Sequence, residues 1–175
     1  MTDVIATRRT ILRPFRLTET DELHELFGDP ATHTIGNGPL TSPAQTRRWI
    51  RRRIETRGRS GLLWYSVRDR DTDLLGNCGL FAGRTGTEEP EIGYEIRRSH
   101  QGRGFATEVA DAVLQEAMFC GTPRVWATIR PHNSASLRVA TIIGLLPQCV
   151  RTDAEGPLVY LASPLGTGRP DTVAP

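Results

Sequence analysis

A short segment with two glycines, residues 101–106 (QGRGFA), constrains the fold of this 175-residue chain more than any other feature. An extended segment over residues 91–97 precedes it, and an amphipathic helix is predicted to follow over residues 105–119. The glycines permit close approach of a ligand to the backbone. The first turn of the helix presents unpaired N–H groups and the positive end of its dipole. This order predicts a pyrophosphate site, and a glycine-rich connection with solvated arginines is the alternative.

Hydrophobic periodicity predicts alternating strands and helices along the chain. Predicted strands cover residues 10–17, 62–68, 74–82, 91–97, 125–130 and 158–162, and predicted helices cover residues 18–27, 42–58, 105–119 and 133–143. Pro14 has no backbone donor, which predicts an edge position for the first strand. Ser42 and Pro43 mark the start of the second helix, and Gly58 is expected to end it. The order predicts a mixed α/β sheet covered by helices, with one or two strands after the fourth helix.

Composition excludes several classes of protein and of site. The chain has 22 basic and 20 acidic side chains and a net charge of +2, which gives no reason to expect bulk nucleic-acid or membrane-surface binding. All the basic residues are arginines, so mechanisms that need a catalytic or phosphate-binding lysine are excluded. The histidines and the three separated cysteines lack metal-ligand spacing, and we expect no metal. Unpaired thiols and the lack of a signal-peptide pattern predict a cytoplasmic protein.

Two kinds of phosphate-binding turn can be compared with the glycine segment. A Rossmann dinucleotide site needs G-x-G-x-x-G/A, but Thr107 occupies the last position. It also needs an acidic residue about 20 positions later, after the next strand, whereas that strand leads into Arg130 and Pro131. The Rossmann interpretation therefore fails.

The second kind of turn fits. Gln101-x-x-Gly104-x-Ala106 matches the Q/R-x-x-G-x-G/A signature of the GNAT acyltransferase superfamily, whose turn binds the pyrophosphate of acyl-coenzyme A. Residues 93–109 (GYEIRRSHQGRGFATEV) resemble the RimJ/RimL branch of that superfamily, which acetylates the N-termini of ribosomal proteins.

Other segments extend the resemblance to residues 10–161. Residues 10–30 (TILRPFRLTETDELHELFGDP) are similar to the entry strand and first helix of the RimJ/RimL branch. Asn133-x-x-Ser136, followed by residues 143–145 (IGL), resembles its N-x-x-S and l-G-F motifs. Two positions depart from the branch, since Gln101 and Leu145 replace aromatic residues that are usual there.

The resemblance implies a fold and a set of ligands. The fold is a mixed, mostly antiparallel twisted sheet of six to seven strands flanked by four helices. We expect residues 1–162 to form one domain, and the glycine- and proline-rich composition of residues 163–175 predicts a disordered tail. Acetyl-CoA is the implied acyl donor, with another acyl-CoA left open. The implied cofactor-binding residues are Ile96, Arg98, Gln101, Gly102, Arg103, Gly104, Phe105, Ala106, Thr107, Asn133 and Ser136.

Direct transfer to an amine, as in the family, needs a neutral amine, a polarised carbonyl and a stabilised thiol. Glu91, at the start of the strand that delivers the cofactor, is the leading candidate for general base, acting through water. Glu95 lies on the same strand face and is the second candidate. A solvated strand carboxylate is the alternative for each.

The resemblance also implies roles at the start of the fourth predicted helix. Ser136 is placed at the cofactor sulfur, and Asn133 at the pantetheine arm. A structural alternative applies to both residues, because Asn133 is a good helix N-cap and Ser136 then falls at the third helical position.

The acceptor implied by the resemblance is a protein N-terminus. The pKa of an α-amine is about 8, against about 10.4 for a lysine side chain, so the α-amine needs less help from a base. A small-molecule or antibiotic amine, and a non-catalytic CoA-binding module, are the alternatives. Arginine-rich residues 47–53 are typical of a solvated basic face, and our hypothesis is that Arg48, Arg51 and Arg52 attract an acidic substrate or a ribosomal surface. We expect no specific nucleic-acid or membrane partner, and a homodimer remains open.

Overall fold

The structure, a computed structural model, describes residues 1–33 and 38–166. The strands are β1 (Ile5–Ala6), β2 (Thr10–Pro14), β3 (Trp64–Asp69), β4 (Leu74–Gly83), β5 (Gly86–Ile96), β6 (Trp126–Ile129), β7 (Leu146–Asp153) and β8 (Gly156–Ala162). The helices are α1 (Thr20–Phe27), α2 (Pro43–Ser60), α3 (Phe105–Phe119) and α4 (Ser134–Ile142). None of these helices is both long and apolar enough to cross a lipid bilayer.

The strands form one sheet in the order β1-β2-β3-β4-β5-β6-β8-β7. All neighbours are antiparallel except β5 and β6, which are parallel because α3 carries the chain back along the sheet. The predicted mixed, mostly antiparallel sheet with four helices is confirmed. The described residues form eight strands rather than six to seven, because the two residues of β1 pair with Ile11 and Leu12 and both strands of the β7–β8 hairpin form.

The sheet separates two hydrophobic clusters. α1 and α2 cover one face, where Phe27, Ile50 and Trp64 are buried together. α3 and α4 cover the other face, where Val109 and Ala140 belong to the larger cluster. The chain is therefore a three-layer α/β sandwich within the described residues.

The alternation of β5 between these layers positions the candidate site. Ile96 packs with α3 in the larger cluster. Because successive strand side chains point to opposite faces, Glu91, Gly93 and Glu95 share the α1–α2 face. A Cβ atom on Gly93 would lie 2.8 Å from the ring of Trp64, so only glycine lets this indole lie against the strand.

Two local predictions are wrong. α2 continues through Gly58 and is capped at Gly61, whose φ of 71° suits a left-handed helix end. The first predicted strand is not an edge strand, because β1 pairs with part of β2. Pro14 is nevertheless accommodated, since β1 covers only Ile11 and Leu12 and the proline lies beyond it.

The predicted tail is described only at its start. Ser163 is buried, and its hydroxyl accepts the N–H of Val125 at 3.1 Å. The N–H of Gly166 donates to the carbonyl of Pro123 at 2.8 Å. Residues 167–175 lie outside the described residues, so the prediction of a disordered tail stays a prediction there.

Candidate active site

A cleft opens in the sheet between the parallel strands β5 and β6. Their paired position joins Glu91 to Trp126. Beyond it, β5 stays paired with β4 as far as Ile96, and β6 stays paired with β8 as far as Ile129. In the part of the chain that the structure describes, the facing edges share no further ladder, so the strands separate. The facing edges of β5 and β6 carry backbone N–H and C=O groups, which could form hydrogen bonds with an extended ligand that contains amides.

The predicted glycine turn lies at the wide end of this cleft, between β5 and α3. Gly102 and Gly104 have φ values of 72° and 80°, which favour glycine. Gly104 is the N-cap of α3, and no side chain among the described residues caps it. The first N–H groups of α3, from Phe105 to Thr107, therefore point out of the helix end together with the positive end of its dipole. This arrangement suits the oxygens of a pyrophosphate.

Gln101 holds the turn in place through both ends of its side-chain amide. Its nitrogen donates to the carbonyl of Ile96 at 2.9 Å, and its oxygen accepts from Nη1 of Arg98 at 3.1 Å. The N–H of Arg98 in turn donates to Oγ1 of Thr32 at 3.0 Å. Three of the predicted cofactor-binding residues thus form the frame that ties the turn to β5 and to the segment after α1.

Sequence reasoning missed Arg9, which brings the β1–β2 connection against the turn. Its Nε donates to Oε2 of Glu108 at 2.6 Å, and its Nη1 donates to the carbonyl of Arg103 at 3.0 Å. The guanidiniums of Arg9 and Arg103 lie 4.2 and 5.3 Å from the ring centroid of Phe105. Two positive charges therefore flank the first residue of α3. No local signal could reveal Arg9, because it precedes the turn by most of the domain.

Glu108 connects this arginine to α3. Its Oε1 accepts from the hydroxyl of Thr7 at 2.6 Å and from the N–H of Arg9 at 2.8 Å. Partial burial raises the pKa of Glu108, but the hydrogen bonds from Thr7 and Arg9 outweigh burial and leave that pKa below its ordinary value.

We expect Glu108→Gln to lower the melting temperature near neutral pH. A carboxyl whose pKa is lowered by folding adds stability above its unfolded pKa, about 4.3, and loses it as the pH falls through the folded pKa. The difference in Tm from the parent should therefore shrink below about pH 5 and close at lower pH. Asp111→Asn, at an exposed position of the same helix, is the control and should change Tm little. A difference in Tm that persists unchanged at pH 3 would contradict this account.

Asn133 and Ser136 come together at the start of α4. Oδ1 of Asn133 accepts the N–H of Ser136 at 3.1 Å, so the capping alternative is present. The phenol of Tyr94 donates to the carbonyl of Ser136 at 2.8 Å and holds α4 against β5; burial raises the pKa of this phenol and keeps it a donor. Within the described residues, the Asn133 amide nitrogen has no protein partner and remains available to a ligand. The Ser136 hydroxyl lies beside the Tyr94 phenol, where its hydrogen bond lowers the pKa of Tyr94 against the larger effect of burial.

Glu91, the leading candidate for general base, is enclosed where the cleft begins. Its exposed fraction is 1%. Its Oε2 accepts from the hydroxyl of Thr128 at 2.5 Å, and its Oε1 accepts from the N–H of Arg84. Glu91 therefore ties β5 to β6 and to the β4–β5 turn, and its role as a base stays a prediction.

Glu95, the second candidate, belongs to a buried cluster with His33 and Asn77, named here the His33 cluster. Nδ1 of His33 lies 2.9 and 3.1 Å from the two oxygens of Glu95, and Nδ2 of Asn77 donates to Oε2 at 3.1 Å. The exposed fractions are 8% for His33 and 9% for Glu95. His33 precedes Glu95 by 62 residues, so no spacing rule could pair them.

A cavity of about 440 Å³ opens beside α2, on the same side of the sheet as the His33 cluster. Arg48, Trp49 and Arg52 line it, and the two exposed arginines lie one helical turn apart. The ring of Trp49 lies 4.7 Å from that of Phe27, and Phe27 lies 5.5 Å from the ring of His33. Two aromatic contacts therefore connect the cavity to the His33 cluster.

A cleft between diverging parallel strands, with a turn suited to an anion at its wide end, fits a transferase that takes its group from an acyl-coenzyme A. The family match agrees with this class, because residues 9–145 match the family described as "Acetyltransferase (GNAT) domain". The chain belongs to the GNAT acetyltransferase family. It is an N-acetyltransferase, and acetyl-CoA is its acyl donor.

Comparisons with individual proteins agree with this assignment. Protein YkkB of Bacillus subtilis (strain 168) is 36% identical over 126 residues, which cover 69% of this chain and 71% of that protein. The N-acetyltransferase p20 of Bacillus licheniformis is 25% identical over 157 residues, 87% of this chain and 88% of that protein. The solved structure of RimL, a ribosomal L7/L12 α-N-protein acetyltransferase in complex with coenzyme A, superposes with a TM-score of 0.83 at 20% identity, over 93% of this chain and 98% of that chain. The similarity to RimL, at 20% identity, shows that the two chains share a fold.

Proposed function

We propose that this enzyme acetylates the α-amino group of protein N-termini, as the RimJ/RimL branch does, and that it favours acidic ones. The observation that carries this proposal is the cavity beside α2 and the basic helix surface that continues beyond it. Arg48 and Arg52 line the cavity, while Arg47 and Arg51 extend the exposed positive surface outside it. Among the described residues, none of these four arginines forms a salt bridge. A surface longer than the cavity complements a polypeptide better than a small amine.

The cofactor end of the site supports the same reaction. The N–H groups of residues 102–107 bind the pyrophosphate, and Arg9 and Arg103 add charge beside it. The free edge of β5 binds the pantetheine arm, with the amide of Asn133 as a further donor. When bound, acetyl-CoA supplies a thioester carbonyl that is activated toward amines. A backbone N–H of β5 polarises that carbonyl. The hydroxyl of Ser136 stabilises the leaving thiolate, because the pKa of a thiol is about 8.5.

A panel of acceptors tests the proposal by thiol release from acetyl-CoA. We expect turnover with N-terminal peptides, faster for acidic than for basic ones, and little with polyamines or aminoglycosides. Mass spectrometry should place the acetyl group on the α-amine. Preferential turnover of free amines would replace the proposal with a small-molecule acetyltransferase, and acetyl-CoA binding without turnover of any amine would contradict it.

Two serine variants test the thiol end of the site in the same assay. Ser136→Ala is expected to lower kcat about tenfold, the loss of one hydrogen bond to a developing charge, with little change in acetyl-CoA affinity. Ser134→Ala, an exposed serine at the first position of the same helix, is the matched control. Equal kcat values in the two variants would remove Ser136 from the mechanism.

A further inference from the structure

We propose that His33, oriented by Glu95 and Asn77, is the base that takes a proton from the attacking amine. The inference rests on acetyl transfer to an amine, as proposed above. It assigns Glu95 and Asn77 a positioning role, and it gives the role of base to a residue from the segment after α1 rather than to a strand carboxylate.

The hydrogen bonds of the His33 cluster select one form of the imidazole. An ionised carboxylate can only accept, so Nδ1 of His33 carries the hydrogen that Glu95 accepts. In the neutral ring, Nε2 then holds the free lone pair. Asn77 donates to Oε2 of the same carboxylate at 3.1 Å and so fixes its orientation. A carboxylate that holds Nδ1–H and leaves Nε2 to accept a proton is an arrangement suited to general-base catalysis.

His33 lies between the two places from which the reactants must come. On the cofactor side, its neighbour Thr32 accepts the N–H of Arg98 at the start of the glycine turn. On the acceptor side, its ring contacts Phe27, which contacts Trp49 in the cavity wall. Direct transfer requires the amine, the acyl carbon and the base to meet at one point. One intervening residue, Phe27, lies between His33 and the cavity wall, and the adjacent residue Thr32 joins His33 to the start of the turn.

The charges around His33 are few. Glu95 of β5 touches the ring, and the neighbours Asn77 of β4 and Phe27 of α1 are uncharged. Asp29 accepts the His33 N–H through its backbone carbonyl, while its carboxylate is bonded to Thr32 and to the N–H of Ala31. The nearby guanidinium of Arg97, the residue after β5, pairs with Glu25 of α1 at 3.3 Å. Among the described residues, Glu95 is therefore the charged group in direct contact with the imidazole.

Glu91 is less suited to this role. Each of its oxygens is bonded to a protein donor, one from Thr128 and one from Arg84, and the residue is 1% exposed. In the His33 cluster the carboxylate is likewise bonded, but the imidazole adds a second nitrogen that can accept a proton. In the part of the chain that the structure describes, Nε2 of His33 therefore remains as a basic atom outside the hydrogen bonds of its cluster, whereas both oxygens of Glu91 are occupied.

The proton balance of the transfer is simple. Nε2 of His33 takes one proton from the substrate ammonium. The lone pair set free on nitrogen forms the new C–N bond to the acyl carbon as the C–S bond breaks, and the electrons of the C–S bond leave on sulfur. The second proton of the amine ends on that sulfur, and His33 releases its own proton to solvent before the next cycle.

The variant His33→Asn tests whether His33 has a catalytic role or only a structural one. The asparagine amide can still donate to Glu95 from near the position of Nδ1, but it has no atom in the place of Nε2. We expect kcat/KM to fall about 10²-fold and to lose the rise with pH that an imidazole base would give the parent enzyme. The Kd for acetyl-CoA, from calorimetry, and the Tm should stay near the parent values. His24→Asn is the control, because among the described residues Nδ1 of His24 bonds to Thr46, at 2.9 Å, and to no member of the His33 cluster.

Nitrogen NMR of ¹⁵N-labelled histidine gives a reading that does not depend on turnover. In the parent, the neutral ring of His33 should carry its hydrogen on Nδ1. Glu95→Gln should abolish this preference and lower kcat/KM about tenfold, while His24→Asn leaves the His33 signal unchanged.

Three results would overturn the proposal. A His33→Asn enzyme with more than half of the parent activity and the parent pH profile would leave His33 only a structural role. Loss of the pH-dependent rise in Glu91→Gln, but not in His33→Asn, would assign the base to Glu91. A neutral His33 ring protonated on Nε2 would contradict the orientation. If the parent acetylated no amine, the proposed function would fail instead, and the NMR result would still decide the orientation of the imidazole.

Discussion

Alanine at Gly104 is expected to raise the Kd for acetyl-CoA about 10²- to 10⁴-fold in a protein that remains folded. Gly104 holds a φ of 80° at the N-cap of α3, where a side chain costs about 1–2 kcal/mol. Relaxation to negative φ rotates the N–H groups of the turn away from the anion site. Two lost hydrogen bonds to a charged group, at about 1.5–3 kcal/mol each, account for the change, because each 1.4 kcal/mol is about tenfold in Kd.

Crowding is not the cause of this expected loss. The nearest atom to a Cβ on Gly104 would be Nη2 of Arg9 at 3.6 Å, an ordinary contact. The strain in φ is therefore the effect that the substitution introduces.

Gly121→Ala is the matched control, at the other end of the same helix. Gly121 follows α3 with a φ of 84°, and a Cβ there would meet open space. Both variants should lose similar stability in thermal unfolding, and only Gly104→Ala should lose affinity in calorimetric titration with acetyl-CoA. Equal losses of affinity in both would mean that general destabilisation, and not the turn, weakens binding.

The double variant Arg48→Glu/Arg52→Glu is expected to lower kcat/KM for acidic N-terminal peptides about 10³-fold. The two arginines line the cavity proposed to bind the acceptor, and reversing them replaces attraction by like-charge repulsion, which costs several kcal/mol at a contact. For the same peptide with its acidic residues replaced by their amides, the double variant should show a much smaller decrease in kcat/KM. The measurement is thiol release with each peptide of the pair.

The double variant Arg47→Glu/Arg51→Glu is the control for long-range electrostatic effects of changing the net charge. It makes the same change of net charge on the same helix, but at positions outside the cavity wall. We expect a modest loss with the acidic peptide that disappears as salt is raised, because exposed charges are screened beyond about 8–10 Å. If both double variants behave alike at high salt, the cavity does not select the acceptor.

The fold class was predictable because the sequence carries its patterns locally. The periodicity of residues 105–119 matches α3, and the glycines before it match the turn. The misplaced end of α2 has a local cause as well. Gly58 costs a helix interior only about 1 kcal/mol relative to alanine, less than the hydrogen bonds and packing that carry the helix on to Ser60. The two residues of β1 are too few to show any period.

The candidate site likewise has features that the local sequence could predict and features that it could not. The geometry of the glycine turn could be predicted because its glycines and the helix N-terminus are contiguous. Its binding of the cofactor stays a prediction. The behaviour of Gln101 could not be predicted, since its side chain binds the end of β5 and Arg98. The capping role of Asn133 is present, because its oxygen accepts the N–H of Ser136, and its binding of the pantetheine arm stays a prediction.

The sequence by itself determined the strand–turn–helix unit, the mixed sheet and the acetyl-CoA end of this acetyltransferase. Only the tertiary structure decided that Glu91 is enclosed, that Arg9 joins the turn, and that His33 meets Glu95. The physical reason is distance along the chain. A helix end or a glycine turn is made by neighbouring residues, whereas a buried carboxylate acquires its partners from whichever segments the packing of the sheet and helices brings beside it.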